Sequence, residues 1–129
     1  MLVLGIESSC DDTAAAVLED GTKVLSSVIS DQNTIHSIYG GVVPELAGRC
    51  HIETIDRVIM QSLELSDVSL EEIDLLAVTI GPGLVTSLLV GINTAKALAY
   101  ALQKPLIGVN HLEGHLLAIF LQEPVKFPF

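Results

Sequence analysis

The spacing of apolar and polar positions divides the first thirty residues into three short strands. Residues 1–7, 13–20 and 23–30 are rich in β-forming side chains and are separated by tight polar turns, which predicts an antiparallel meander. Residues 31–44 show no clear period and contain Gly-Gly and Pro, so we expect a long loop there.

Helical and strand periods alternate through the rest of the chain. From residue 45 to about 65, apolar side chains recur at three- and four-residue steps, which is typical of an amphipathic helix. Residues 74–81 and 105–110 are short apolar runs typical of buried parallel strands, and a helix is predicted over 84–102. With a last helix after residue 110, the order is βββ-α-β-α-β-α. It predicts an α/β lobe with a mixed sheet, one domain over residues 1–129.

Helix 84–102 is apolar on nearly all sides and therefore needs cover on two of them. The sheet is expected on one side, and either a neighbouring helix or another protein on the other. The last residues, "EPVKFPF" (123–129), resemble the lead-in to a further strand. The chain is accordingly expected to be the N-terminal part of a longer protein.

Composition narrows the class of protein. Half of the residues are hydrophobic and only 4% are aromatic, which suits aliphatic strands covered by helices. No apolar run is expected to span a membrane and the N-terminus lacks a basic segment, so we predict a cytoplasmic protein with two reduced cysteines. The net charge of −10 leaves no basic stripe, so binding of nucleic acid would need positive charge from elsewhere.

The stretch "NHLEGHLLA" carries two histidines four residues apart. On a helix, His111 and His115 would lie on one face and could bind a single ion, whereas Glu113 would point away. That geometry favours a metal clamp over a zinc protease, whose glutamate follows the first histidine directly. Two ordinary core or surface histidines remain the alternative. Asn110 is expected to cap the helix.

A polar turn, "ESSCDDT", follows the first strand. The hydroxyls of Ser8, Ser9 and Thr13 could donate to a phosphate, as could backbone N–H groups of the turn. Asp11 and Asp12 would repel phosphate unless a cation or a substrate amine lies between them. A solvated acidic turn is the alternative.

Two further stretches are weaker candidates. "GPGL" (81–84) opens the long helix and could receive an anion at the helix N-terminus, although helix capping explains it equally. "YGGVVPELAGRCH" (39–51) offers Glu45, Arg49 and His51 near a helix start, where positions on the helix surface are the default expectation.

Taken together and in order, these four stretches resemble the TsaD family over all 129 residues. Its members are tRNA threonylcarbamoyladenosine transferases, once called O-sialoglycoprotein endopeptidases. The resemblance implies an actin-like ATPase (ribonuclease H-like) fold. It also implies transfer of a threonylcarbamoyl group from its adenylate to the exocyclic amine of the adenosine beside the tRNA anticodon.

The resemblance also implies roles for individual residues. His111 and His115 would bind one divalent metal ion, iron or zinc, with an aspartate from a C-terminal lobe as the remaining protein ligand. A Ser-Gly-Gly loop that holds the nucleotide phosphates would also lie in that lobe, so the 129-residue chain alone is expected to be inactive. Asp11 and Asp12 are candidates to orient or deprotonate the attacking amine.

The adenine nucleotide, as threonylcarbamoyl-adenylate, would be bound near Ser8, Ser9 and Thr13. Expected partners are tRNA, TsaB-like and TsaE-like proteins and a second copy of this chain. Three other functions remain open: a metalloprotease acting on glycoproteins, a non-catalytic scaffold or dimerisation lobe such as TsaB, and a relative of the sugar or acetate kinases.

Overall fold

The computed structural model describes residues 1–121, except for the side chains of residues 34, 35, 119 and 120. The strand expected within 123–129 lies outside the described residues. The elements, in chain order, are β1 (Leu2–Glu7), β2 (Thr13–Glu19), β3 (Lys23–Ser30), α1 (Asn33–His36), α2 (Pro44–Ser66), β4 (Leu75–Gly81), α3 (Val85–Leu102), β5 (Leu106–Asn110) and α4 (His111–Leu117). This succession matches the predicted one, with α1 added.

One five-stranded mixed sheet has the order β3-β2-β1-β4-β5. The β1–β2 and β2–β3 pairs are antiparallel, whereas β1–β4 and β4–β5 are parallel. Gly5 in the centre of β1 pairs with Ala16 on one side and Ala77 on the other. The antiparallel opening and the parallel sequel agree with the predicted mixed sheet.

The hydrophobic core lies on the face of the sheet that α2 and α3 cover. The strands contribute Leu4, Val17 and Leu76, all fully buried, and α2 contributes Ile55 and Val58. These residues alternate along the strands and recur at helical spacing in α2, which is why the sequence pattern predicted the elements correctly.

Helix α3 packs against the sheet on one side and against α2 on another. Its small residues Gly91, Ala95 and Ala99 are buried, while Leu89 and Tyr100 remain 46% and 89% exposed. By length and composition this helix could cross a membrane, so the expectation that no apolar run reaches that length was wrong. Its buried residues are Ser87, Leu88, Gly91, Ala95 and Ala99, so packing on the sheet and α2 accounts for part of this composition.

The expectation of a long loop over residues 31–44 was also wrong, because this segment contains α1 and a 3-10 turn. Two buried polar residues hold this segment. The ring of His36 donates from Nε2 to the side-chain oxygen of Gln32 (2.7 Å) and accepts the Val43 N–H at Nδ1 (3.1 Å). The Gln32 amide donates to the Ala47 carbonyl. The buried side chains of this segment are polar, so a search for periodically spaced apolar residues does not detect its structure.

A buried hydroxyl joins the end of β1 to α3. Ser8 donates to the Ser87 carbonyl (2.7 Å) and accepts the Gly91 N–H (3.0 Å). In a regular helix those two backbone groups would bond to each other, so Ser8 is inserted into one turn of α3. A Cβ at Gly91 would lie 2.6 Å from the Ser8 hydroxyl, which explains the glycine.

We therefore expect Gly91→Ala to lower the free energy of unfolding by about 1–3 kcal/mol, because the added methyl overlaps the hydroxyl. The double variant Ser8→Ala/Gly91→Ala should lose less than the sum of the single variants, since the helix can then close its own bond. Urea unfolding measures all three. Gly114→Ala, where nothing lies within 4 Å of the new Cβ, is the matched control and should not destabilise. Additive losses would contradict the insertion.

Candidate functional site

The carboxyl ends of the parallel strands meet at one edge of the sheet, where α/β folds place their ligands. Glu7 ends β1, Thr79 lies near the end of β4, and His111 follows β5 directly. A cavity of about 470 Å³ opens there. It is lined by Glu7, Ser9, Cys10, Asp11, Asp12, Ala14, Ile29, Thr79, Val109, Asn110, His111, Gly114 and His115.

The two histidines lie on one face of α4, as predicted. Their Nε2 atoms are 3.1 Å apart and the rings are perpendicular, with centroids 4.5 Å apart. The Asn110 side chain caps the helix by accepting the N–H groups of Leu112 (2.9 Å) and Glu113 (3.2 Å), which confirms the predicted cap. The cap starts the helix at His111, so both imidazoles face the cavity one turn apart.

Glu7 orients His111, a role that the sequence did not indicate. His111 donates from Nδ1 to the Glu7 carboxylate at 3.0 Å, so its Nε2 lone pair faces His115. Glu7 also accepts from the Thr79 hydroxyl (2.7 Å) and the Ser9 N–H. An acid at the last position of an otherwise apolar strand was the only available signal.

Two opposing effects set the pKa of Glu7. Partial burial alone would raise it, but the hydrogen bonds from Ser9, His111 and Thr79 together outweigh burial, and the pKa lies below the usual glutamate value. Glu7 is therefore a carboxylate at neutral pH, and it holds His111 in the tautomer with Nδ1 protonated.

Both predicted acids, Asp11 and Asp12, line the cavity. They belong to residues 8–12, here called the acidic turn. Burial raises the pKa of Asp12 above its usual value, and the negative charges of Asp11, Asp31 and Glu7 raise it further. A cation or a substrate amine in the cavity would relieve this repulsion.

The three predicted hydroxyls are placed differently from one another. Ser9 lines the cavity, and its hydroxyl lies 3.2 Å from His111 Nδ1. The Ser8 hydroxyl is inserted in α3, and the Thr13 hydroxyl contacts the His51 ring (2.6 Å) and the Thr54 hydroxyl (3.1 Å). The geometry thus brings only Ser9 to the cavity, while Ser8 and Thr13 bind protein groups.

The weaker candidates also have definite places. Arg49 pairs with Glu45 at 2.8 Å on the exposed surface of α2, as expected. His51 does not lie on the surface: it is fully buried, with Nε2 bonded to the Cys10 carbonyl (2.8 Å), so the default expectation was wrong for it. An imidazole can satisfy two polar groups at once inside a core, and spacing along a helix does not show this.

Gly83 of "GPGL" allows close packing of the acidic turn on α3. The Leu84 N–H donates to the Ser9 carbonyl at 2.7 Å, and a Cβ at Gly83 would lie 2.5 Å from that oxygen. In the structure, this part of the helix N-terminus binds the turn itself, so Gly83 is explained by contact between two backbone segments. Gly81 has a φ of +150°, a conformation that side chains other than glycine rarely adopt.

Across residues 1–121, no group of three or more His, Cys, Asp or Glu side chains is arranged to hold a metal ion. The donor set that the described residues do offer is the histidine pair. Glu113 is exposed, and α4 lines the cavity through His111, Gly114 and His115.

Comparison with known proteins identifies similar sequences. The family described as tRNA N6-adenosine threonylcarbamoyltransferase, TsaD, matches residues 23–129. Proteins with that name from Geotalea uraniireducens and Trichlorobacter lovleyi are 58% and 59% identical to this chain over 129 residues. Each match covers the whole chain and 38% of the relative, so the chain spans about two-fifths of these relatives' length.

Comparison with solved structures bears on the fold alone. YeaZ from Pseudomonas aeruginosa has a TM-score of 0.62 at 22% identity, covering 84% of this chain and 42% of its own. RuvC from T. thermophilus, in complex with a Holliday junction substrate, has a TM-score of 0.57 at 13% identity, covering 98% and 84%. Both share the ribonuclease H-like, actin-like fold, which confirms the predicted fold class.

We expect Glu7→Gln to lower the free energy of unfolding by about 1–3 kcal/mol at pH 7, since three donors lose a charged acceptor. The folded-state pKa is lowered, so this stabilisation is fully present above the ordinary glutamate pKa of about 4.3 and is lost as the pH falls through the folded value. The difference between the two proteins should therefore shrink on acidification.

Urea unfolding between pH 7 and pH 3 measures that difference. Glu64→Gln, at an exposed position on α2, is the matched control and should show a small difference that varies little with pH. A Glu7→Gln difference that stays constant or grows on acidification would contradict the assigned role.

Proposed function

The chain belongs to the TsaD family of tRNA N6-adenosine threonylcarbamoyltransferases, and on that premise we propose that its residues form part of the transferase site. The observation that carries the proposal is one cavity lined by His111, His115 and the acidic turn, with Glu7 orienting the first histidine. The chain spans 38% of its relatives' length, so the complete activity is proposed for the natural protein that contains these residues.

In the proposed reaction, the adenosine N6 amine attacks the carbamoyl carbon of threonylcarbamoyl-adenylate. The new N–C bond forms, the bond between that carbon and the adenylate oxygen breaks, and AMP leaves. One amine proton is released. Asp11 or Asp12, both at the cavity wall, is the proposed acceptor of that proton or the group that orients the amine. The raised pKa of Asp12 makes its carboxylate a stronger base than that of an ordinary aspartate.

We propose that His111 and His115 hold one divalent metal ion. Their Nε2 atoms are 3.1 Å apart, close to the separation of about 3.3 Å between two nitrogens of one tetrahedral shell. The Glu7–His111 bond is the carboxylate–histidine arrangement that commonly supports metal-binding imidazoles. Zinc and ferrous iron both suit such donors, and the ion would act as a Lewis acid on the mixed anhydride.

For the nucleotide we propose contact with Ser9, whose hydroxyl lies at the cavity beside His111. Ser8 and Thr13 would instead hold the acidic turn in position, because their hydroxyls bind α3 and α2. The substrate would be threonylcarbamoyl-adenylate, with its phosphate near Ser9 and its carbamoyl carbon between the histidines and the acids.

The alternatives have weaker support. A metalloprotease of the H-E-x-x-H type would take its catalytic glutamate from the histidine helix, and Glu113 is not among the residues through which α4 lines the cavity. The glutamate that does lie beside the pair, Glu7, is already bonded to His111, Ser9 and Thr79. A scaffold of the same fold would have no use for a carboxylate-oriented histidine pair. The likeness to YeaZ, at 22% identity, shows a common fold only.

We propose tRNA, TsaB-like and TsaE-like proteins as partners. We propose the cytoplasm as the compartment, because the structure has Cys10 and Cys50 as free thiols and a reducing compartment would keep them so. With six basic side chains against sixteen acidic ones, this lobe would need help from other parts of the assembly to bind tRNA. The outer groove between α2 and α3, lined in part by Ile52 and Leu89, would receive a TsaB-like protein or a second copy.

We expect His111→Ala and His115→Ala, each in the full natural protein, to remove the metal and abolish transfer to tRNA. Glu113→Ala should keep both, because Glu113 is not among the residues that line the cavity with the pair. Glu7→Gln should weaken metal binding by about 10–100-fold without removing a ligand. Metal content and tRNA modification, measured side by side, test all four. Transfer retained in His111→Ala, or metal lost in Glu113→Ala, would overturn the histidine clamp.

We expect Ile52→Glu and Leu89→Glu to prevent association through the α2–α3 groove, because each side chain is apolar, exposed and part of its wall. Sedimentation with and without a TsaB-like protein measures the effect. Leu65→Glu, 70% exposed at the far end of α2, is the control and should leave association unchanged. A parent chain that stays monomeric and binds no TsaB-like protein would contradict the interface.

A further inference from the structure

His51 lies fully buried beneath the acidic turn, on the face of α2 that packs on the sheet. The proposed reaction assigns it no role, since it is not among the residues that line the cavity. Both ring nitrogens nevertheless contact the segment that carries Asp11 and Asp12. A buried imidazole with two such contacts suggests a specific task rather than simple filling of the core.

The two contacts have opposite polarity. A carbonyl oxygen can only accept, so Nε2 donates to the Cys10 carbonyl, at 2.8 Å. In the neutral ring Nδ1 then accepts the hydroxyl hydrogen of Thr13, at 2.6 Å. Cys10 and Thr13 directly flank Asp11 and Asp12 in the chain. One rigid ring therefore fixes both ends of the dipeptide that carries the acids.

The acidic turn is thus attached to both helices. Its first half is bound to α3, through the Ser8 hydroxyl and the Ser9 carbonyl. Its second half is bound to α2 through His51, and the Thr13 hydroxyl also lies 3.1 Å from Thr54 on that helix. The imidazole of His51 therefore sets how far Asp11 and Asp12 lie from α2, and so where they lie at the cavity.

We propose that His51 is a positioning residue, which places the carboxylates of Asp11 and Asp12 at the cavity by bonding to Cys10 and Thr13. The proposal rests on the proposed transferase function, because it assigns those acids to the attacking amine. A misplacement of about 1 Å can cost a factor of about 100 in rate. The effect is expected on kcat, with little change in the KM for the adenylate.

Three variants in the full natural protein separate positioning from stability. His51→Leu keeps apolar bulk and removes both bonds. His51→Gln keeps one donor and one acceptor on a single planar group. Ser62→Ala is the matched control: Ser62 is also fully buried on α2, but its hydroxyl bonds to Ser26 on β3 (2.8 Å), away from the acidic turn.

At a temperature where all three are folded, His51→Leu should lower kcat about 10–100-fold with KM nearly unchanged. His51→Gln should recover most of that loss, and Ser62→Ala should turn over as the parent does despite a lower melting temperature. Parent-like turnover in folded His51→Leu would overturn the proposal. A loss of kcat in Ser62→Ala as large as in His51→Leu would also overturn it, because the effect would then follow stability.

Amide hydrogen exchange on the 129-residue chain tests the placement without any activity. In His51→Leu, amides of residues 10–13 should exchange at least tenfold faster than in the parent, and in Ser62→Ala they should not. If the unaltered natural protein transfers no threonylcarbamoyl group, the proposed function fails, while this measurement still tests the contacts. Unchanged exchange at residues 10–13 in His51→Leu would overturn the positioning role by itself.

Discussion

The acidic turn has its place because two helices hold it from opposite ends. Ser8 is inserted into α3, the Leu84 N–H binds the Ser9 carbonyl, and His51 of α2 binds the Cys10 carbonyl. Each contact uses a buried polar group that would be costly to leave unpaired. The position of α2 and α3 on the sheet therefore determines where the acids lie, and any shift of either helix moves the cavity wall.

Charge is concentrated at this cavity in a chain that is already strongly acidic. Glu7, Asp11 and Asp12 line one cavity at the edge of the sheet, together with the two imidazoles. Hydrogen bonds keep Glu7 ionised, whereas burial and neighbouring carboxylates raise the pKa of Asp12. Two acids with pKa values displaced in opposite directions suit different tasks: one orients a histidine, and the other can exchange a proton.

Much of the fold followed from local patterns, because strands and helices bury apolar side chains at fixed periods. The meander, α2 and α3 were predicted within a residue or two of their observed bounds, and α4 starts directly after its predicted cap, Asn110. The segment over 31–44 was not, since the buried residues that hold it, Gln32 and His36, are polar. Buried polar side chains depend on partners that are distant in sequence, and the spacing of apolar residues within one strand or helix does not identify those partners.

The site shows the same division. The sequence by itself determined the histidine pair, because helical spacing and the Asn110 cap act within eight residues, and it placed two acids on a turn after a buried strand. Only the tertiary structure decided that Glu7 orients His111, that Ser8 and Thr13 bind helices, and that His51 lies under the acidic turn. These contacts join residues about 40 to 100 positions apart. They exist only once parallel strands bring Glu7 and His111 to one edge of the sheet and helices α2 and α3 pack against it.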